Sequence, residues 1–358
     1  MMDTYCSPRI PKGMMKALVK AKPEAGLWMQ DVPVPSIAPN EVLIKIHKTA
    51  ICGTDMHIYN WDEWAQKNIP VPMVVGHEYG GTIAAIGSTV KRVKIGERVS
   101  GEGHVVGHVS RNARSGRYHL DPLSKGIGVN LPGAFAQYLA LPEFNVIPLK
   151  DNLPMDIAAI LDPLGNAIHT ALSFDLVGED VMITGAGPIG IMAAAVAQRA
   201  GARRIMLTDI NDWRLNLAKK VAPSVRTVNV LKQHPREVMY EMGLTEGFDV
   251  GLEMSGKQSA FDGMIDLMIM GGSVAMLGIP SKPFPVDLGA IVFKSLTLKG
   301  IYGRQMYETW YKMLAMLDSG LDISGVITDH FAAAKFQDAF DLMLTGKAGK
   351  VILDWTGV

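Results

Sequence analysis

VMITGAGPIGIMAAAVAQRAGARRIMLTD, residues 181–209, is the stretch that decides the fold of this chain. An apolar run at 181–184 leads into a Gly-x-Gly-x-x-Gly turn, an alanine-rich segment continues to about Ala200, and a second apolar run ends at Asp209. The glycines of the turn are Gly185, Gly187 and Gly190. This strand–turn–helix–strand–acid order is the context that the dinucleotide-binding fingerprint requires. The sequence therefore predicts a nucleotide-binding sheet built around this turn.

Each part of the fingerprint has a mechanical role. Gly185 permits the tight turn, Gly187 lets the backbone approach a pyrophosphate, and Gly190 lets the helix pack against the strand. The helix N-terminus offers unpaired N–H groups and the positive end of its dipole to the phosphates. Asp209 would accept hydrogen bonds from a ribose 2′-hydroxyl and repel a 2′-phosphate, so we expect NAD rather than NADP.

The composition of the whole chain narrows the class of protein. Its 358 residues suffice for two domains, and apolar and charged fractions of 48% and 20% are typical of a globular protein. The net charge of zero, without a basic run, argues against nucleic acid or a membrane surface as a partner. No apolar segment reaches transmembrane length, and residues 1–13 lack the apolar core of a signal peptide. The only cysteines, Cys6 and Cys52, exclude a disulfide framework and predict a cytoplasmic protein.

The pattern along the chain predicts two domains. Residues 1–14 are expected to be a flexible extension, and 15–163 have the short alternating strands and frequent turns of a compact β-rich domain. Helices and apolar strands alternate over 164–305, with 260–270 as one of the helices, which predicts a six-stranded, doubly wound parallel sheet. Residues 306–358 carry two amphipathic helices and a strand, and we expect them to fold back onto the first domain.

Polar residues in the first domain suggest a metal site. Cys52 follows an apolar strand, His77 and Glu78 follow another apolar run, and Asp162 lies at the domain junction. Thiolate, imidazole and carboxylate are the ligands of a catalytic zinc that keeps one position open. At the level of the residues a structural alternative stays open, with Cys52 as a small buried apolar group, His77 and Glu78 as a helix start, and Asp162 as a cap.

Several motifs together resemble the zinc-dependent medium-chain alcohol dehydrogenases. They are KTAICGTDMHIYNWDEW at 48–64, PMVVGHEYGG at 72–81, KIGERVSGEGH at 94–104, DPLGNAIHTAL at 162–172 and the glycine turn. The resemblance runs from about residue 15 to 355 and implies a GroES-like catalytic domain, a six-stranded Rossmann domain, NAD and one catalytic zinc. More narrowly, the motifs are similar to those of bacterial members that oxidise L-threonine at its β-hydroxyl, and the product that the resemblance implies is L-2-amino-3-oxobutanoate.

The resemblance also implies roles for particular residues. Its zinc ligands would be Cys52, His77 and Glu78. Its catalytic residues would be Thr54 and His57, as a proton relay through the nicotinamide ribose, and Asp162, close to the metal. Its cofactor contacts would be Gly185, Gly187, Ile189, Gly190, Asp209, Arg214, Leu277, Gly278, Ile279, Ile301 and Tyr302.

A threonine pocket needs charges of both signs, because the substrate carries an ammonium and a carboxylate. Glu102 and His104 are candidate contacts, although both are equally compatible with solvated loop positions. Trp61 and Trp64 are expected to pack rather than to bind substrate. Two alternatives remain: another secondary-alcohol or polyol dehydrogenase on the same scaffold, and a nucleotide-binding protein without catalysis.

The chain departs from the family at a second metal site. Many relatives hold a structural zinc with cysteines spaced C-x2-C-x2-C-x7-C. The corresponding positions here are Gly107, Ser110, Ala113 and Asp121. A structural zinc needs four closed ligands, so we predict none in this lobe, which must be held by packing and hydrogen bonds or be partly mobile. We expect a homo-oligomer, with a tetramer favoured, although relatives use this region in assembly.

Overall fold

The computed structural model describes residues 11–358 and divides them into two compact units. The first unit comprises the chain up to Asp162 together with residues 329–344 and 350–358, and the second comprises 163–328 and 345–349. Residues 306–328 thus belong to the second unit, which differs from the expectation that all of 306–358 return to the first domain. Most of the predicted extension at 1–14, including Cys6, lies outside the described residues.

The first unit is built mainly from short strands. Its elements up to Asp162 are β1 (Met14–Lys20), β2 (Trp28–Pro33), β3 (Glu41–Ala50), α1 (Gly53–Asn60), α2 (Glu63–Asn68), β4 (Met73–Val74), β5 (Tyr79–Ile86), β6 (Arg98–Gly101), β7 (His104–Val105), α3 (Arg111–Arg114), β8 (Lys125–Gly126), β9 (Tyr138–Pro142), β10 (Val146–Pro148) and α4 (Met155–Ala159). Proline and glycine between these strands keep them short, as the sequence predicted.

The second unit alternates helix and strand. From residue 161 the elements are α5 (Leu161–Ala171), β11 (Asp180–Thr184), α6 (Pro188–Ala200), β12 (Arg204–Asp209), α7 (Asp212–Val221), β13 (Arg226–Asn229), α8 (Pro235–Glu241), β14 (Phe248–Glu253), α9 (Gln258–Leu267), β15 (Met268–Met276), α10 (Leu288–Phe293), β16 (Thr297–Gly300) and α11 (Glu308–Asp318). The chain ends with β17 (Ile327–Ala332), α12 (Phe336–Leu344) and β18 (Lys350–Asp354).

Among the described residues, the largest sheet of the first unit has the order β10-β6-β5-β3-β18-β17, with β9 also paired to β3. β3 is its central strand and pairs antiparallel with β5, β9 and β18. This central position explains why Val42, Leu43 and Ile44 are all buried instead of alternating with exposed residues. The end of β3 and the beginning of β18 therefore lie side by side, which matters for the site described below.

The sheet of the second unit runs β13-β12-β11-β14-β15-β16 within the described residues, and every pairing is parallel. This is the doubly wound order expected for dinucleotide binding, and the predicted fold class is confirmed. The predicted helix at 260–270 is wrong at its end, because α9 stops at Leu267 and β15 begins at Met268. The apolar run Met268–Met270 fits either a buried helix or a strand by its pattern alone.

No helix in the described part of the chain combines the length and the apolarity needed to span a membrane.

Candidate metal centre and cofactor site

Cys52 lies between the end of the central strand β3 and the beginning of helix α1. It is the N-cap of α1, with extended backbone angles, and Asp55 in the first turn accepts the Cys52 backbone N–H through Oδ2 at 2.9 Å. A carboxylate at this position satisfies one of the unpaired N–H groups at a helix start. The strand end and this cap together fix the direction of the Cys52 side chain.

The predicted metal ligands come together. One ligand atom each from Cys52, His77 and Glu78 lie within 4.8 Å of one another. The carboxylate oxygen Glu78 Oε1 is buried and lacks a hydrogen-bond partner in the described structure. Buried polar atoms without partners are costly, and a thiolate, an imidazole and a carboxylate suit a zinc ion, so the site fits this metal. Asp162 is not a member of this group, but its charge raises the pKa of both His77 and Glu78.

Asp55 lies beside the candidate centre, and the sequence reasoning did not single it out. Its side chain is fully buried, and its Oδ1 lies 3.7 Å from His77 Nδ1. Burial raises the pKa of Asp55, while burial alone would lower the pKa of His77 and the charges of Asp55 and Cys52 raise it well above its ordinary value. Carboxylates behind a metal-binding histidine commonly fix the ring orientation. An acidic residue three positions after a candidate cysteine was the available signal.

Lys350 was also missed, although it touches the candidate centre. The Lys350 side chain at the start of β18 is buried, and its Nζ lies 2.5 Å from Glu78 Oε2. The same ammonium donates a hydrogen bond to the Ile51 carbonyl oxygen at 2.9 Å. Burial raises the pKa of Glu78 against the opposing charges of Lys350 and His77. A lysine at the start of the apolar strand KVILD was the only signal in the sequence.

The predicted relay residues lie on α1, close to the metal ligands. The Cys52 thiol lies 3.9 Å from Thr54 Oγ1. The His57 side chain is 59% exposed, and its Nδ1 contacts a carboxylate oxygen of Asp62 at the beginning of α2. The relay role of Thr54 and His57 stays a prediction.

The predicted substrate contacts form a pair. Glu102 is fully buried, and its Oε1 accepts hydrogen bonds from the backbone N–H of His104 at 3.0 Å and from His104 Nδ1 at 2.9 Å. Glu102 is therefore not the solvated loop residue that the sequence left open, whereas the His104 side chain is partly exposed. A Cβ placed on Gly103 would lie 3.7 Å from the carbonyl oxygen of His77, so this segment borders the candidate centre.

Hydrogen bonds link the four positions that replace the structural-zinc cysteines. The buried Asp121 carboxylate accepts the backbone N–H of Gly107 at 2.7 Å and that of Leu123 at 3.2 Å, and it accepts a hydrogen bond from Ser110. The hydroxyl oxygen of Ser110 in turn accepts the N–H of Ala113 at 3.1 Å. Hydrogen bonding is thus what connects this lobe, and the absence of a structural zinc stays a prediction.

The glycine turn in the second unit has the geometry that its sequence demands. Gly185 has φ +91°, a conformation that L side chains rarely adopt. A Cβ on Gly190 would lie 2.0 Å from the Gly185 carbonyl oxygen, so this glycine is needed for contact with the turn itself rather than with the strand. A Cβ on Gly187 would meet nothing within 4 Å, and Gly187 is the N-cap of α6. The open space there is where a pyrophosphate is expected.

Asp209 is held by the backbone around the same turn. Its Oδ2 accepts the Ala186 N–H at 2.6 Å, and its Oδ1 accepts the N–H groups of Ile210 at 2.7 Å and Asn211 at 2.9 Å. An ionised carboxylate offers about four acceptor positions, so one remains for a ribose hydroxyl. The acid that was predicted to recognise the ribose therefore also braces the turn.

Most of the predicted cofactor contacts line two cavities of the second unit. A cavity of about 530 Å³ is lined by Gly185, Gly187, Asp209 and Arg214, among others. A second cavity, of about 730 Å³, is lined by Leu277, Gly278, Ile279, Ile301 and Tyr302, among others. Ile189 and Gly190 line neither of these two cavities.

Comparison with known proteins agrees with this geometry. Residues 38–151 match the family described as the alcohol dehydrogenase GroES-like domain, and residues 188–319 match the zinc-binding dehydrogenase family. The chain belongs to the zinc-containing medium-chain alcohol dehydrogenase family.

Individual relatives narrow this further. The chain is 61% identical to an L-threonine 3-dehydrogenase of Ruegeria pomeroyi, over 96% of this chain and 100% of that one. An alcohol dehydrogenase structure from Thermus sp. ATN1 is 28% identical with a TM-score of 0.85, over 95% of this chain and 99% of that one. A structure from Escherichia coli CFT073, described as a short chain alcohol dehydrogenase with NADH, is 24% identical with a TM-score of 0.87, over 96% of this chain and 99% of that one, and supports the fold alone.

Proposed function

We propose that this protein is a zinc- and NAD-dependent dehydrogenase that oxidises the β-hydroxyl of L-threonine to L-2-amino-3-oxobutanoate. The observation that carries the proposal is the clustering of Cys52, His77 and Glu78 ligand atoms within 4.8 Å. The substrate comes from the similarity to L-threonine 3-dehydrogenases at about 60% identity over nearly the whole chain.

The chemistry divides between the bound groups and the chain's own residues. Zinc supplies a Lewis acid that makes the substrate hydroxyl more acidic, and NAD supplies the acceptor for the hydride. Cys52, His77 and Glu78 would hold the metal, and Asp55, beside His77 Nδ1, would orient the ring. Thr54 accepts the hydroxyl proton, and His57 carries it away to solvent, to which its ring is open.

The cofactor preference rests on Asp209. Its remaining acceptor position suits a ribose hydroxyl, and a 2′-phosphate there would meet a carboxylate. We therefore propose NAD as the cofactor and one zinc per chain, because hydrogen bonds rather than cysteines occupy the second metal position.

We propose that Glu102 and His104 recognise the charged groups of threonine. The support is that a buried carboxylate and a partly exposed imidazole form a pair in the segment that borders His77. Glu102→Gln and His104→Asn are expected to raise the KM for threonine at least tenfold while zinc content stays unchanged. Unchanged KM values would remove both residues from the pocket.

The main experiment measures NADH formation and metal content together. We expect turnover with L-threonine well above that with sorbitol or butanediol, loss of turnover after chelation, and recovery with Zn²⁺. Cys52→Ser is expected to lose the zinc, and Cys6→Ser is the matched control, because Cys6 is the chain's other cysteine. Absence of NADH formation by zinc-replete protein would refute the function, and more than one zinc per chain would refute the stoichiometry.

We propose a homo-oligomer, with a tetramer favoured. Ile279, Val292 and Phe293 of the second unit are 90%, 71% and 82% exposed, and in the described chain β16 ends the sheet with one edge unpaired. Equivalent edges of two copies can pair about a twofold axis and cover such apolar residues. Phe293→Glu is expected to lower the mass measured by light scattering, and a monomeric parent protein would refute the proposal. We also propose that the protein is cytoplasmic, because a reducing compartment keeps the Cys52 thiol free. Determining where the native protein is located in the cell would test this proposal.

A further inference from the structure

The segment that joins α1 to α2 contains a contact that the proposed mechanism has not used. Asp62 Oδ2 contacts His57 Nδ1, and the Asp62 backbone N–H donates to the His57 carbonyl oxygen at 3.4 Å. The same Asp62 is the N-cap of α2, where its Oδ1 accepts the Ala65 N–H at 3.0 Å. One carboxylate thus binds the imidazole with one oxygen and a helix start with the other.

Contacts other than the one with the imidazole also help to place Asp62. Trp61 adopts a left-handed conformation with φ +54°, which ends α1 and turns the chain back toward it. The Lys20 ammonium lies 4.8 Å from the Trp61 ring centre and donates to two nearby backbone carbonyls. The Trp64 ring lies 6.0 Å from the His57 ring. Trp64, which we expected only to pack, therefore lies near the imidazole that Asp62 contacts.

An ionised carboxylate can only accept hydrogen bonds, so the hydrogen of the neutral imidazole must lie on Nδ1. The lone pair then lies on Nε2. Burial would raise the pKa of Asp62, but hydrogen bonds from Ala65 and His57 lower it below its ordinary value, which keeps the carboxylate ionised. The other charged residues of the two helices are Asp55, which is buried against His77, and the exposed Glu63 and Lys67. None of these three contacts the imidazole in the described structure.

We propose that Asp62 is the positioning residue of the proton relay: it holds Nδ1 of His57 and so makes Nε2 the atom that accepts the proton leaving the substrate. The proton would pass from the substrate hydroxyl through Thr54 and the nicotinamide ribose to Nε2, the resulting imidazolium is paired with the Asp62 carboxylate, and the exposed ring releases the proton to water. Asp62 itself is not protonated. A third group that orients a base in this way is a recurring arrangement in enzymes. The inference rests on the proposed relay function of His57.

Asp62→Asn is the sharpest variant, because asparagine also caps a helix and its oxygen can keep the Ala65 hydrogen bond. Its amide nitrogen then faces Nδ1 and donates to it, which moves the imidazole hydrogen to Nε2 and blocks the accepting atom. Asp62→Ser keeps a capping hydroxyl but is too short to reach the ring. Asp62→Glu keeps the charge and tests rescue.

The first measurement is the tautomer of His57, read from ¹⁵N-histidine NMR spectra of the zinc-loaded protein and assigned by the signal lost in His57→Gln. We expect Nδ1–H in the parent, Nε2–H in Asp62→Asn, and a mixture in Asp62→Ser. A parent spectrum with Nε2–H, or one that Asp62→Asn leaves unchanged, would overturn the proposal without reference to turnover.

The second measurement is steady-state kinetics with L-threonine. Asp62→Asn is expected to lower kcat by about 10²-fold, within the range for loss of general-base assistance, while KM changes by less than about twofold. Asp62→Glu should recover part of kcat, and Asp62→Asn should cost nothing further in a His57→Gln background. An unchanged kcat in His57→Gln would refute the relay in the proposed function. A large effect of His57→Gln with none of Asp62→Asn would refute only the role of Asp62.

Discussion

Lys350→Met is the perturbation whose effect the structure defines most closely. It removes an ammonium that lies 2.5 Å from Glu78 Oε2 and donates a hydrogen bond to the Ile51 carbonyl oxygen. The Lys350 and Glu78 side chains are at most 4% exposed. Burial alone would lower the pKa of Lys350, but Glu78 and Cys52 raise it, so the lost group is a cation. Methionine keeps roughly the volume of the side chain but leaves the buried Glu78 carboxylate without the ammonium that contacts it.

The expected cost follows from that geometry. Removing one partner of a buried ion pair costs about 3–5 kcal/mol of unfolding free energy, because the other charge remains buried. At about 2–4 °C per kcal/mol for a domain of this size, the melting temperature of the first unit should fall by about 6–20 °C. Lys48→Met is the matched control: the Lys48–Asp354 pair is nearly as short at 2.6 Å, but its side chains are 21% and 35% exposed. A pair of that kind contributes about 0–1 kcal/mol.

The assay is urea unfolding of the metal-free protein in chelator, followed by tryptophan fluorescence, for both variants and for Lys350→Met combined with Glu78→Gln. The double variant should recover much of the loss, since a neutral amide replaces the unpaired carboxylate. Added zinc should also reduce the loss of unfolding free energy in Lys350→Met, because it brings a new positive charge to Glu78. The reasoning is refuted if Lys350→Met costs no more than Lys48→Met, or if Glu78→Gln restores nothing.

Three further outcomes are expected. Asp121→Asn should speed hydrogen exchange at the Gly107 amide, which the Asp121 carboxylate accepts. In the folded protein the pKa of Asp121 is lowered, because its hydrogen bonds outweigh its burial. The stability that the ionised carboxylate contributes is therefore present above the pKa of the unfolded chain and is lost as the pH falls through the pKa of the folded protein. Parent protein should therefore approach the variant's exchange pattern at acid pH, and identical patterns at neutral pH would argue against the carboxylate. Asp209→Ala should raise the dissociation constant of NAD more than tenfold and reduce the preference for NAD over NADP, because it removes a hydrogen-bond acceptor for the ribose and the contacts that support the turn. Fluorescence titration with NADH and NADPH measures both effects, and an unchanged ratio of the two dissociation constants would contradict the role of Asp209. Gly190→Ala should weaken NADH binding at least tenfold without loss of zinc, because the new Cβ would lie 2.0 Å from the Gly185 carbonyl oxygen, and full-strength binding by the variant would contradict the stated role of this glycine.

The sequence predicted those parts of the structure whose cause is local. The stretch from β11 to β12 was foreseen element by element, because strand, turn, helix and acid follow one another within one short segment. The end of α9 was misplaced, since an apolar run has the same appearance in a buried helix and in a buried strand. The pairing of β14 with β15 makes Met268–Met270 the start of a strand, and this tertiary contact cannot be read from the local sequence.

In the candidate site, too, the residues with a local signal in the sequence were predicted, and those placed by contacts distant in the chain were not. Cys52, His77 and Glu78 were identified because their chemistry is unusual for a core and because their motifs resemble a family. Lys350 was overlooked because its partner is distant in the chain and becomes adjacent only when β18 pairs with β3. Asp55 was overlooked because a helix cap explains an acidic residue at that position equally well.

The carboxylate-centred lobe has a consequence for how this protein withstands stress. The oxygen and nitrogen atoms that join Asp121 to Gly107, Ser110 and Leu123 neither oxidise to disulfides nor yield a metal to a chelator. Zinc starvation or peroxide should then silence catalysis at the Cys52-containing centre while the lobe stays folded. The inactive protein would be a reservoir that regains activity when metal and reductant return, without refolding.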